Sequence, residues 1–278
     1  MIEGFARRQF ATGAGTLSYL ANDQPGLPKL LILHGVNTCA DYFDDFMPYI
    51  AGRYDIVAPD FRGHGASFRS DEPYSLRHYA EDISLLMATL IREPCFVIGM
   101  SLGGRVGLKL AAAHPQLVSR LVVVDVGPDV DPVGLARISE AQARLPQSFP
   151  DYAALRAYYA TAYRNVPAHY VDHIVRHGWR QAADGSWVTA YDRRIWQVDA
   201  GATAADAAVL NALLPAVTMP VLVIRGGLSD ILKADDARRF VRTLPDARLI
   251  EVPGTTHGVI VEAPEICARE IDAFLLGG

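Results

Sequence analysis

Apolar positions along the chain follow two alternating rhythms. Short runs rich in Val, Ile, Leu and Phe at 29–33, 54–58, 95–98, 120–125, 220–225 and 247–252 predict buried strands. Between them, apolar residues recur every three to four positions over 40–51, 75–91, 102–113, 233–244 and 264–275, the spacing of amphipathic helices. Residues 5–21, with Gly13 and Gly15 at their centre, read as an opening hairpin. Strands alternating with helices imply an α/β fold, a mostly parallel sheet with helices on both faces.

The alternation stops between 127 and 216, where helical patterns continue without a convincing buried strand. This stretch reads as an insertion. It divides the chain into a first core part (1–126), a helical cap (127–216) and a second core part (217–278). The insertion mixes aromatics such as Tyr158, Tyr163, Trp179 and Trp196 with arginines such as Arg137, Arg164 and Arg193. That mixture suits a lid over a pocket with an apolar body and a few anion-binding points. The plainer alternative is a cap whose aromatics pack on each other and whose arginines face water.

With 278 residues, half of them hydrophobic, the chain can bury a large core. A net charge of -5 offers no basic surface, so no nucleic-acid partner is expected. The first ten residues lead into no apolar stretch of signal-peptide length, and no run approaches the ~18 apolar residues of a membrane span. A soluble, cytoplasmic protein with no membrane partner is the expectation. Homo-oligomerisation stays open. Cys39, Cys95 and Cys267 are odd in number and widely spaced, which predicts free thiols rather than a disulfide framework or zinc knuckle.

Candidate chemistry centres on Gly99-Met100-Ser101-Leu102-Gly103, a G-x-S-x-G pentapeptide between a predicted strand and a predicted helix. A serine at such a junction sits on a strained turn with its hydroxyl raised above the sheet. Elsewhere the same pentapeptide would be an ordinary tight turn. A serine hydroxyl is a weak nucleophile near neutral pH, so it needs a base and a carboxylate that orients the base. His257, after the last predicted strand, is the best base, whereas His34 and His64 sit in glycine turns of structural character.

With these residues in place the chain resembles the α/β-hydrolase superfamily over about residues 30–276. His34-Gly35 is similar to the family's H-G oxyanion turn, the segment from Asp60 to Ser67 to its D-x-R-G-x-G-x-S, and Gly254-Thr255-Thr256-His257 to its G-x-x-H. The resemblance implies Ser101 as nucleophile, His257 as base and the backbone amides of Val36 and Leu102 as oxyanion donors. It leaves the acid open. Asp230 follows the 221–224 strand but fits the usual G-x-x-D only when counted from Gly227; counted from Gly226, Ser229 stands there. Asp125 ends the preceding strand, and relatives with such a serine loop tend to use this earlier acid. The reading prefers Asp125 and keeps Asp230, the idle one being a turn or cap residue.

Residues 124–128, the cap stretch Tyr163-Arg164-Asn165-Val166-Pro167 with Asp184-Gly185, and residues 225–229 resemble a bacterial group of these hydrolases. That group includes 2-(acetamidomethylene)succinate hydrolase and small-acyl esterases. The implied activity is hydrolysis of a small ester, lactone or thioester through an acyl-enzyme, with a small-molecule substrate, no cofactor and no metal. Cleavage of a C–N or C–C bond in a small carboxylated compound is the alternative on the same triad. C–C hydrolases commonly place Asn before the serine and Trp after the histidine, where this chain has Met100 and Gly258. Epoxide hydrolases and dehalogenases use an aspartate nucleophile, which Ser101 disfavours. A non-catalytic small-ligand receptor is the reading from another class, since this fold also makes sensors.

Other constellations carry less. His169, His173 and His177 recur every fourth residue, a spacing able to bind metal, but without H-E-x-x-H they read as a polar helix face. Gly99 to Gly104 lacks both G-x-G-x-x-G and a G-K-[ST] ending, so no nucleotide function follows. Arg105 could meet a substrate anion, with a helix-surface salt bridge as the expected role.

Overall fold

The computed structural model describes residues 2–163, 166–197 and 200–277. Eight strands form one sheet: β1 (Ala6–Ala11), β2 (Thr16–Ala21), β3 (Lys29–Leu33), β4 (Asp55–Pro59), β5 (Cys95–Met100), β6 (Val118–Val124) and, after a long connection that carries the two-stranded hairpin β7 (Trp179–Gln181) and β8 (Trp187–Thr189), β9 (Val221–Gly226) and β10 (Ala247–Val252). The order across the sheet is β1-β2-β4-β3-β5-β6-β9-β10. β1 pairs antiparallel with β2, and β2 antiparallel with β4; every other pairing within this eight-stranded sheet is parallel.

Side-chain alternation along the parallel strands builds two cores. Leu31, Leu33, Val97, Leu121, Val123, Val221 and Val223 face one side, against α1 (Leu76–Leu86), α2 (Leu102–Ala113) and α7 (Ala234–Thr243). Leu30, Ile32, Ile98, Val122, Val124, Leu222 and Ile224 face the other, against the short α8 (Val259–Glu262) and α9 (Pro264–Leu276). Strands buried on both faces explain why they read as continuous apolar runs. Chain order reverses about β3, whose neighbours are β4 and β5. A crevice at the carboxyl ends of the strands forms where order reverses, and Ser101 follows β5 at that point.

Between β6 and β9 lie α3 (Pro132–Arg144), α4 (Tyr152–Ala162), α5 (Ala168–Gly178) and α6 (Ala200–Leu213). A small core of their own contains Leu155, Tyr159, Val171, Val175 and Trp179. Arg164 and Asn165, named in the sequence resemblance, lie outside the described residues.

Four expectations need correction. The reading of 127–216 as helical, without a convincing buried strand, misses the short and mostly unburied hairpin β7–β8, which pairs antiparallel around a turn where Gly185 adopts φ +87°. Three residues per strand are too few for a period to show. The helix over 40–51 is instead two 3-10 turns, Ala40–Phe43 and Met47–Tyr49. Pro48 has no N–H to donate back along an α-helix, and Phe43, Phe46 and Met47 are fully buried around it. The helix over 75–91 is α-helical only to Leu86 and widens into a π turn, Met87–Ile91, stopped by Arg92 at φ +61°. The strand expected to include Asp125 ends at Val124, and Asp125 leaves it at φ +51°.

Candidate active site

Ser101 stands between β5 and α2 at φ 53° and ψ −118°, a conformation that costs a non-glycine residue of order 1–3 kcal/mol. Its surroundings hold it there. A Cβ on Gly99 would lie 2.3 Å from the Gly103 carbonyl oxygen, and one on Gly103 would lie 2.2 Å from the Leu33 oxygen. The two glycines therefore let α2 start directly against β3 and β5. Ser101 N–H donates to the Val124 carbonyl (3.0 Å), tying the serine to the residue before Asp125.

Asp125 is completely buried, and its N–H donates to Ile224 across to β9. Its carboxylate accepts three hydrogen bonds: from Gly226 N–H (2.8 Å) to Oδ1, and from the Ser229 hydroxyl and His257 Nδ1 (2.7 Å) to Oδ2. His257 thus turns Nδ1 toward the acid and Nε2 away from it, the orientation a general base needs. Asp230 is elsewhere. Half exposed, it makes a bidentate pair with Arg137 of α3. No hydrogen bond joins the Ser101 hydroxyl to His257 among the described residues, the leg that is commonly long in unliganded enzymes.

Ser229 and Arg225 are the residues that sequence reasoning missed. The Ser229 oxygen accepts from Ile231 N–H (3.2 Å) and Leu232 N–H (3.3 Å), so its hydroxyl proton is free for Asp125. Buried Arg225 donates to the Leu232 and Gly227 carbonyls and pairs with Glu251. This latches the 227–232 loop against the carboxylate. The one available signal was Ser229 in the position where a G-x-x-D pattern asks for an acid. On the other side of the histidine, Glu262 accepts the N–H of Thr256, and the Tyr170 ring packs on Gly258, where a Cβ would sit 2.2 Å from it.

Residues 34–38 form the neighbouring turn after β3. His34 Nδ1 donates to the Gly35 carbonyl (2.7 Å) and its Nε2 accepts from Phe61 N–H (2.9 Å), so the ring is neutral and fixed. Complete burial pushes its pKa down to about 4, against the opposing pull of the Gly35 carbonyl. Thr38 donates to the same carbonyl, and Trp196 Nε1 donates to Asn37 Oδ1 at 2.7 Å. A Cβ on Gly35 would lie 3.3 Å from the Ser101 Cβ. The Val36 and Leu102 amides, one after each motif, donate no hydrogen bond among the described residues.

The other singled-out residues separate clearly. His64 is buried beneath this turn, and burial holds it well below its ordinary pKa. Asp60 and Ser67 brace backbone: Asp60 accepts from Ala40 and Ala66 N–H, and the Ser67 hydroxyl donates to the Asp60 carbonyl. Arg105 corrects its expectation. It is buried, makes no salt bridge among the described residues, and has Nε and Nη2 without hydrogen-bond partners. Packing of α2 against α6 covers a position that helical periodicity assigned to the surface. His169 is exposed, while His173 and His177 are buried against Asp44. No described helix is long and apolar enough to cross a membrane.

Comparison with known proteins identifies the family and the fold. The α/β hydrolase fold family matches residues 28–264. The 2-(acetamidomethylene)succinate hydrolase of Mesorhizobium japonicum is 30% identical over 98% of this chain and 95% of its own length. A 3-hydroxybutyrate-oligomer hydrolase of Cupriavidus necator is 29% identical over 91% of each. Among solved structures, E-2-(acetamidomethylene)succinate hydrolase superposes with a TM-score of 0.86 at 30% identity, covering 98% of this chain and 99% of that one. The Mycobacterium tuberculosis esterase Rv0045c superposes with a TM-score of 0.77 at 28% identity, over 98% and 91%.

Proposed function

The chain belongs to the α/β hydrolase family, and on that premise we propose that it is a serine hydrolase acting by acyl transfer on a small ester, lactone or thioester. Ser101 attacks the carbonyl carbon while His257 Nε2 takes the hydroxyl proton. The imidazolium so formed is stabilised by Asp125, which already receives the Nδ1 proton at 2.7 Å. Val36 and Leu102 amides receive the oxyanion, each worth ~3 kcal/mol in the transition state. His257 returns the proton to the leaving group, and a water activated by the same base releases the acid. Residues 127–216 act as a cap that admits and positions the substrate.

The observation that carries this reading is the closed Asp125–His257 pair beside a serine in elbow conformation. In this account Asp230 is a surface residue held by Arg137. A second reading, hydrolysis of a C–N bond in a small carboxylated enamide, is favoured by the near full-length similarity to 2-(acetamidomethylene)succinate hydrolase. Both use the same acyl-enzyme and differ in the leaving group. The three cysteines are buried free thiols, which supports a reducing cytoplasmic location.

A turnover screen with purified protein across acyl esters, lactones, thioesters and enamides tests the proposal. Hydrolysis of at least one class, lost in S101A, is the expected result. Silence across all four, with tight binding of one, would identify a receptor instead.

A further inference from the structure

Helix α5 turns His173 and His177, one helical turn apart, toward the two 3-10 turns at 40–49. Both are buried, at 1% and 8% exposure. They meet Asp44 and Asp45, the acids between those turns. His177 Nε2 lies 3.0 Å from Asp44 Oδ2, while His173 Nδ1 lies 3.5 Å from Asp44 Oδ1 and 3.0 Å from Asp45 Oδ2. One ligand atom each from Asp44, His173 and His177 falls within 4.8 Å of the others.

Two features single this cluster out. His173 Nε2 faces the Tyr42 carbonyl at 2.8 Å, and a carbonyl only accepts, so the ring proton is on Nε2. Nδ1 is then the ring atom that faces the carboxylate oxygens of Asp44 and Asp45. Separately, Asp44 Oδ1 is buried without any hydrogen-bond partner, an arrangement rare enough to need a cause. Tetrahedral zinc with bonds of ~2.0–2.1 Å sets its ligand atoms about 3.4 Å apart. Asp44 presents Oδ2 to His177 Nε2 at 3.0 Å and Oδ1 to His173 Nδ1 at 3.5 Å, so each imidazole lies near that separation from one of the two carboxylate oxygens.

We propose that Asp44, His173 and His177 form a binding site for a divalent transition-metal ion of the zinc or cobalt class, with Asp45 or water completing the coordination. Two imidazoles and a carboxylate are the donor set that such ions prefer. The ion takes Nδ1 of His173, an oxygen of Asp44 and Nε2 of His177, any proton on His173 Nδ1 leaving to solvent. The proton on His177 Nε2 moves to Nδ1 of that ring or to solvent. Arg176, exposed and 3.2 Å from Asp44 Oδ2, swings away. The site is separate from the Ser101 machinery and bridges α5 to the 3-10 turns at 40–49. Tyr170 of α5 packs on Gly258 next to His257, so an ion here stiffens the helix that covers the base.

Metal-stripped wild type titrated with Co2+ tests the proposal, read by visible ligand-field absorption and then by displacement with Zn2+. Saturation at one ion per chain is expected. H177Q and D44N should weaken binding at least tenfold, while H169Q, exposed on the same helix, leaves it unchanged. Absence of cobalt absorption would mean that a proton on His173 satisfies the acids, and would overturn the site. Equal binding by wild type, H177Q and D44N would place the ion elsewhere and overturn it too. X-ray absorption on zinc-loaded wild type needs no variant to fold: two imidazoles with oxygen donors are expected, and a sulfur donor or a single imidazole contradicts the proposal.

Discussion

Asp125 and Asp230 stand in sequence positions of nearly equal appeal, and their surroundings separate them. A carboxylate with no exposure and three donors is held in one orientation; one that is half exposed beside Arg137 is worth little. D125N should therefore lower kcat by on the order of 10³–10⁴, because an amide no longer fixes the His257 tautomer. D230N should leave kcat within about twofold, as expected for a surface pair worth ~1 kcal/mol or less. Ser229 supplies a charge-assisted hydrogen bond, worth ~1.5–3 kcal/mol. Steady-state kinetics of S229A should show kcat/KM down by roughly 10–100-fold with the fold intact.

His34 gives the same scale a pH signature. Its pKa falls from the ordinary 6.5 to about 4 in the folded protein, chiefly through burial. The unfolded chain then binds the proton more tightly. Stability is complete above pH 6.5 and is lost as pH falls from 6.5 toward 4. The loss reaches on the order of 3 kcal/mol. Urea unfolding between pH 7.5 and 4.5 checks this, and a profile that stays flat contradicts it.

Among the elements, close approach at glycine does most of the positioning. G103A drives a Cβ into the Leu33 carbonyl, which cannot move without breaking the β3–β5 ladder. A loss of ~1–3 kcal/mol of stability is expected from overpacking of this kind. Gly258 makes room for the Tyr170 ring, so G258A should displace α5 and raise KM more than it lowers kcat. Y170A in that background should restore much of the loss, and a purely additive double mutant would contradict the contact. Parallel strands and their helices were legible because burial on both faces imposes long apolar runs. The 40–51 segment misled because its apolar residues wrap around Pro48 rather than line one helix face. Hairpin β7–β8 was hidden by its brevity, and Arg105 by α6 packing over a position that periodicity assigns to water.

Taken as a whole molecule, the protein places three loops from β5, β6 and β10 at one sheet edge, and the G-x-S-x-G and G-x-x-H motifs marked two of them in advance. The third partner depended on a fold-level fact. Asp125 and His257 lie 132 positions apart and meet only because β6, β9 and β10 are neighbours. Ser229 carried only the hint of standing where a G-x-x-D pattern asks for an acid, since what it touches is set by the Arg225 latch. The central claim is that Ser101 is a nucleophile activated by His257 and Asp125. Intact-mass spectrometry after fluorophosphonate treatment tests it most directly. One adduct on Ser101 in wild type is predicted, absent in S101A, greatly slowed in D125N and unchanged in D230N. An adduct that survives S101A, or a wild type that never labels, would contradict the account.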